Sequence, residues 1–194
     1  MSETYGNLAY KEEPRTELID GKLVMLAAPT TNHDAVAGAI YYSFYNYLRG
    51  KLCRVFISDT AVYLDDGEEY QPDVKVVCDR SKIQRDGIHG APDLVVEVLS
   101  PSTARYDKGH KMQVYERCGV KEYWIVDTKS RSIEQYVLEN GKFILRGYAQ
   151  QPDQEELDYM KDEERAKITG EFRCALFEDL TISVNDVFAD VQDW

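Results

Sequence analysis

Two carboxylates interrupt an otherwise apolar run in Pro92-Asp93-Leu94-Val95-Val96-Glu97-Val98-Leu99. In a strand, side chains alternate faces, so Asp93, Val95, Glu97 and Leu99 fall on one side. A carboxylate buried on such a face is costly unless it is paired or binds a metal. Pro72-Asp73-Val74-Lys75-Val76-Val77 repeats the pattern upstream, with Asp73 and Lys75 sharing a face. Acids near the starts of neighbouring buried strands can hold one hard dication, Mg²⁺ or Mn²⁺, which keeps waters and binds a phosphate oxygen. Such an ion polarises a phosphodiester and lowers the pKa of its bound water. The chemistry these residue types point to is metal-assisted phosphodiester hydrolysis, with Asp73 and Glu97 as catalytic acids and metal ligands.

That chemistry also needs a cation near the scissile phosphate. Lys108 and Lys111 lie in a segment expected to be helical just after the Glu97 strand, and Asp107, Lys111 and Tyr115 recur every four residues, so they share a helix face. Lys111 is the catalytic candidate, Asp107 and Tyr115 are its supports, and Lys75 is the rival. Arg105 and Lys108 are candidates for the nucleic-acid backbone. Glu17, ahead of the first strand, is a possible third acid. His33, beside Asp34 at a helix start, is either a general base or ligand, or a capping or packing residue. Asp93, next to Pro92, is either a further ligand or a turn and capping acid. No glycine-rich phosphate loop, nucleophile elbow or HExxH pattern is present.

The elements that must position these residues can be read in order. Asp20-Gly21 is the turn of a hairpin over Glu17–Leu26. Residues 29–32 form a loop that can cap a helix over His33–Leu48. Strands are expected over Arg54–Leu64, Asp73–Cys78 and Pro92–Leu99, with a polar loop over Asp79–Gly90. A helix over Lys108–Cys118 stops at Gly119. A further strand, Glu122–Val126, precedes a hairpin of Ser132–Leu138 with Lys142–Tyr148 across Glu139-Asn140-Gly141. Residues 1–14 read as a polar arm and 150–170 as an acidic insertion, with packed structure returning over Phe172–Val184 and Asp186–Phe188. This order predicts an α+β, mixed-sheet fold in one domain over residues 1–194, with a central sheet flanked by helices.

The 194 residues carry a net charge of −12, which opposes indiscriminate binding to phosphates. The charge is uneven. Residues 100–121 hold five basic side chains against two acids, whereas residues 153–164 hold seven acids against Lys161. No apolar run reaches bilayer length, and the first residues lack a basic-then-apolar leader pattern, so a soluble cytoplasmic protein is expected. Cys53, Cys78, Cys118 and Cys174 are scattered without a CxxC pair; they read as reduced structural thiols, and nothing in their spacing points to zinc.

The central block, from Asp73 through Pro92–Thr103, Asp107, Lys111 and Tyr115 to Gly119-Val120-Lys121-Glu122-Tyr123-Trp124-Ile125-Val126-Asp127, resembles the Uma-type family. This bacterial family, expanded in cyanobacteria and long catalogued as a domain of unknown function, belongs to the PD-(D/E)XK restriction endonuclease-like superfamily. Glu17–Val24, His33 and Ile182–Phe188 extend the resemblance over nearly the whole chain. It implies a restriction endonuclease-like mixed-sheet core, to which the N- and C-terminal hairpins are extra, Mg²⁺ dependence and phosphodiester hydrolysis; DNA is the expected substrate, with RNA open. It carries Asp73 and Glu97 to the two metal-binding acids. The superfamily lysine two residues after the second acid is Leu99 here, and the matching lysine is Lys111 on the following helix. Homodimers are usual in such folds, because cutting two strands is simplest with two sites. The departure at Leu99 and the overall acidity keep a second reading open, a catalytically silent module that binds nucleic acid or protein.

Overall fold

Asp20 and Gly21 both take positive φ, 50° and 70°, as a two-residue hairpin turn requires. They join β1 (Thr16–Ile19) to β2 (Lys22–Met25). Thr30 caps α1 (Thr31–Leu48), its side chain accepting from the His33 N–H at 3.2 Å. The helix buries Val36, Ile40, Phe44 and Leu48, four residues apart along one stripe. The computed structural model describes residues 15–65, 67–100, 103–152, 154–165 and 170–193. The polar arm expected over residues 1–14 lies outside them.

The single strand expected over Arg54–Leu64 is divided. β3 (Arg54–Ile57) ends where Ser58 turns left-handed at φ 43° and donates its N–H to the Asp73 carbonyl. The chain then crosses to a second sheet as β4 (Val62–Tyr63), followed by β5 (Glu69–Tyr70). β6 (Val74–Val77) returns to the first sheet. The loop expected over 79–90 contains a 3-10 turn, Arg80–Lys82, and a short strand, β7 (Ile88–His89). β8 (Leu94–Val98) is buried throughout. The helix expected over Lys108–Cys118 starts earlier and changes pitch. α2 (Ala104–Tyr106) runs into a π-helical turn, Asp107–Lys111, and then into α3 (Met112–Cys118). Gly119 ends it at φ 85°, a left-handed C-cap.

β9 (Glu122–Asp127) leads to the hairpin of β10 (Ser132–Glu139) and β11 (Lys142–Gln150), turned by Asn140 and Gly141 at positive φ. The acidic segment contributes α4 (Gln154–Tyr159) and α5 (Asp162–Arg165). β12 (Glu171–Arg173) pairs with β13 (Thr181–Ser183), and α6 (Val184–Val187) follows.

Six strands form a mixed sheet in the order β11-β10-β9-β8-β6-β3, in which β8 and β9 alone run parallel. Five short strands form a second sheet, β2-β1-β5-β4-β7. The α+β, mixed-sheet class expected above is the one observed. One face of the large sheet (Val74, Val76, Val96, Trp124) packs on α1 and the C-terminal segment. The other face (Val95, Tyr123, Ile125) packs on α3 and on Tyr70 and Ile88 of the second sheet. Among the described residues, no helix is long and apolar enough to cross a membrane.

The expected reduced state of all four cysteines is corrected. Cys53 is disulfide-bonded to Cys78, while Cys118 and Cys174 form no disulfide. Cys53 precedes β3 and Cys78 follows β6, and the Arg54–Val77 pairing sets them opposite each other. Spacing along the chain carries no trace of that register.

Glu122 anchors the C-terminal segment to the sheet. Its carboxylate is buried and accepts from Trp124 Nε1 at 2.6 Å and from the backbone N–H groups of Ala175 and Leu176 at 3.1 and 2.6 Å. Leucine there would leave those donors unsatisfied, at roughly 1–3 kcal/mol each. Glu122→Leu is therefore expected to lower unfolding free energy by about 3 kcal/mol or more in a urea titration. A loss within error of zero would mean that water replaces the carboxylate.

Candidate active site

The antiparallel register Val74–Val96 makes Asp73 and Glu97 the next facing pair. Asp73 precedes β6 and Glu97 lies in β8; both are buried, and both line a cavity of about 230 Å³. Asp73 Oδ2 accepts from the Val98 N–H at 2.8 Å and stands 3.1 Å from His33 Nε2. Glu97 Oε1 accepts from Lys111 Nζ at 3.2 Å and from the Tyr115 hydroxyl at 2.8 Å. Lys111 Nζ also lies 2.9 Å from Glu17 Oε1 and 3.4 Å from Asp107 Oδ1. Glu17 is held in turn by the Gln71 N–H at 2.9 Å. The row Asp107–Lys111–Tyr115 thus converges on Glu97, and the π-helical turn carries its first two members.

Charge decides what this pocket can bind. Glu17, Asp73, Glu97 and Asp107 are four buried carboxylates facing two buried lysines, Lys111 and Lys75. Burial pushes the Glu97 carboxyl well above its ordinary range; Lys111 pulls it back, and Asp107, Asp73 and Glu17 push it further up. Burial raises Asp107 as well, against the pull of Lys111. Burial would lower the Lys111 ammonium, but Glu97, Glu17 and Asp107 outweigh it and hold it well above normal. Burial brings Lys75 down to about 7 despite Glu97 and Asp73; its Nζ donates to the carbonyls of Ser58 and Pro72. A cavity onto which the carboxylates of Glu17, Asp73 and Glu97 converge offers the oxygen ligands that a hard dication such as Mg²⁺ or Mn²⁺ takes.

Burial disfavours the charged form of His33, but its hydrogen bond to Asp73, the Asp73 charge and Asp34 together raise it above 6.5. A histidine whose folded pKa exceeds its unfolded value stabilises fully below the unfolded value, and that contribution is lost as pH rises through the folded one. In EDTA, thermal stability is therefore expected to fall as pH rises above the ordinary histidine value of 6.5, and His33→Asn should flatten the slope. An equal slope in both proteins would remove His33 as its source.

The other sequence candidates fall outside this cluster. Asp93 sits ahead of β8, about 13 Å along the chain from Glu97. Its Oδ2 accepts from the Cys78 N–H and its Oδ1 from Lys121 Nζ, each at 2.7 Å. Those two bonds tie it to the end of β6 and to Lys121. Arg105 is exposed, and Lys108 is paired with Glu134 at 2.9 Å. Sequence reasoning missed Arg15, which lines the cavity and is paired with Asp59 at 2.8 Å. Its signal was present: Arg15 is two residues before Glu17, the spacing that sets side chains on one side of an extended chain.

Residues 2–163 match the profile of the Uma2 family, described as a putative restriction endonuclease. The chain belongs to the Uma2 family. The match spans Glu17, Asp73, Glu97, Asp107 and Lys111. Among similar proteins is the uncharacterized protein slr1290 of Synechocystis sp., 30% identical over 149 residues, covering 75% of this chain and 78% of the relative. A second uncharacterized Synechocystis sp. protein, sll1609, is 26% identical over 126 residues, 63% of this chain and 71% of the relative. A crystal structure described as a putative nuclease belonging to DUF820 from Anabaena variabilis has the same fold, with a TM-score of 0.67 and 18% identity. That likeness covers 91% of this chain and 90% of the other. The restriction endonuclease-like core expected from the resemblance is therefore the core of this Uma2 member.

Proposed function

We propose that this chain is a metal-dependent endonuclease that hydrolyses phosphodiester bonds in DNA. The observation that carries the reading is the pocket where Asp73 and Glu97 face each other across two strands, its buried acids outnumbering its buried lysines. Asp73 and Glu97 would hold Mg²⁺ or Mn²⁺. The ion supplies Lewis-acid polarisation of the phosphate and a more acidic bound water. Lys111, kept charged by three carboxylates, donates toward the pocket and stabilises negative charge as it develops on phosphate oxygens. Glu17 and Asp107 fix that ammonium, and Tyr115 fixes Glu97. Arg15, at the same cavity, is suited to a backbone phosphate; such a contact positions the nucleic acid without reading its sequence. A homodimer would supply one site per DNA strand.

Incubation with supercoiled plasmid and millimolar Mg²⁺ or Mn²⁺ is expected to give nicked and linear products, abolished by EDTA and by Asp73→Asn. Leu99 at the usual lysine position favours the alternative of a silent module. Binding of DNA without cleavage under any dication, unchanged by Asp73→Asn, would select that alternative.

A further inference from the structure

Outside the cavity just described, three other side chains converge. Asp20 is in the β1–β2 turn, Glu68 immediately precedes β5, and His110 is in the π-helical turn. His110 Nε2 lies 3.6 Å from Glu68 Oε1 and 3.7 Å from Asp20 Oδ1. One ligand atom from each residue lies within 4.8 Å of the other two. None of the three lines the Asp73–Glu97 cavity.

We propose that Asp20, Glu68 and His110 form a second cation site, built for a borderline first-row dication such as Zn²⁺. Three observations support it. First, the separations are too long for N–H···O hydrogen bonds. They are close to the roughly 3.4 Å that separates two ligands each about 2.1 Å from one tetrahedral ion. Second, His110 Nε2 is shut off from solvent and has no hydrogen-bond partner among the described residues, although its ring edge is partly exposed. A buried ring nitrogen without a partner is uncommon in a native fold and needs a reason. Third, the Glu68 carboxylate is already oriented. It accepts from the Asp20 N–H at 3.0 Å and from the Tyr70 hydroxyl at 3.0 Å. One imidazole and two carboxylates suit Zn²⁺ better than Mg²⁺, which takes oxygen ligands and dehydrates reluctantly. Water would complete the tetrahedron.

The placement gives such an ion a role. Asp20 belongs to the hairpin that carries Glu17, and His110 precedes Lys111. A cation there would clamp the hairpin to the helical turn and hold Glu17 and Lys111 in register. The site itself stands whether or not the neighbouring cavity cuts DNA.

The test uses the full chain stripped with EDTA and carrying Asp73→Ala and Glu97→Ala, so that the first site cannot bind. Calorimetry with Zn²⁺ alone is expected to show one equivalent bound and a raised melting temperature. Adding His110→Ala should weaken binding by at least about tenfold, since losing even an outer-shell partner costs that much. Asp20→Asn should do the same without harming the fold, because asparagine tolerates the left-handed turn and Asp20 is exposed. It decides the matter should His110→Ala fail to fold. No Zn²⁺ bound in the Asp73→Ala/Glu97→Ala protein would overturn the proposal. So would binding of equal affinity with and without Asp20→Asn.

Discussion

Replacing Glu97 with glutamine is expected to reduce Mg²⁺-dependent plasmid cleavage by about a thousandfold or more, the scale on which a transition-state electrostatic contact acts. The same change should leave the metal-free protein at least as stable. The two effects separate because the carboxylate is costly without a dication. Glu97 is buried on an apolar sheet face, and burial, with Asp107, Asp73 and Glu17 close by, works against its ionised form. The isosteric amide still accepts hydrogen bonds at the place where Lys111 and Tyr115 donate to Oε1. It removes one of the three carboxylates around that ammonium and cannot supply the charge a hard cation needs. Melting curves in EDTA should then superimpose or shift upward, while the increase produced by Mg²⁺ in the parent protein disappears. Cleavage within tenfold of the parent would show that Glu97 does not serve the metal. A cooperative transition lost in EDTA would show that the carboxylate is structural.

The main acids of this pocket were legible because burial makes carboxylates conspicuous. Asp73 and Glu97 stand in valine-rich runs, and period two assigns them a face. The hairpin turns at Asp20-Gly21 and Asn140-Gly141 were legible because only certain residues tolerate left-handed backbone. What escaped depends on partners distant in sequence. Arg54–Leu64 looks continuous; its division at Ser58 is fixed by a hydrogen bond to Asp73, fifteen residues on. The Cys53–Cys78 bond needs the β3–β6 register. The π-helical turn left no periodic signature, because the i,i+4 row of Asp107, Lys111 and Tyr115 is what an unbroken α-helix would also show. His110 lies in that turn, and nothing in its spacing along the chain points to Asp20 or Glu68. Only the folded chain brings it to the Asp20 turn and Glu68.

Lys111→Met is expected to abolish cleavage and, unlike Glu97→Gln, to destabilise the fold by about 3–5 kcal/mol, the cost of stranding buried charge whose partner is removed. Methionine fills the space of the lysine stem but leaves Glu17, Glu97 and Asp107 around an apolar tip. Glu97 and Asp107 are raised by burial even with the ammonium present, and without it they rise further. A carboxyl whose folded pKa lies above its unfolded value costs nothing below the unfolded value and its full penalty above the folded one. The deficit of Lys111→Met should therefore shrink as pH falls toward about 4 and be complete at high pH. Combining it with Glu97→Gln should recover part of the loss, because one stranded charge is gone. Residues in direct contact depart from additivity by roughly 0.5–3 kcal/mol, which a double-mutant cycle by urea unfolding resolves. A pH-independent deficit, or strict additivity with Glu97→Gln, would mean that Lys111 contributes packing alone and that its ammonium does not serve the pocket.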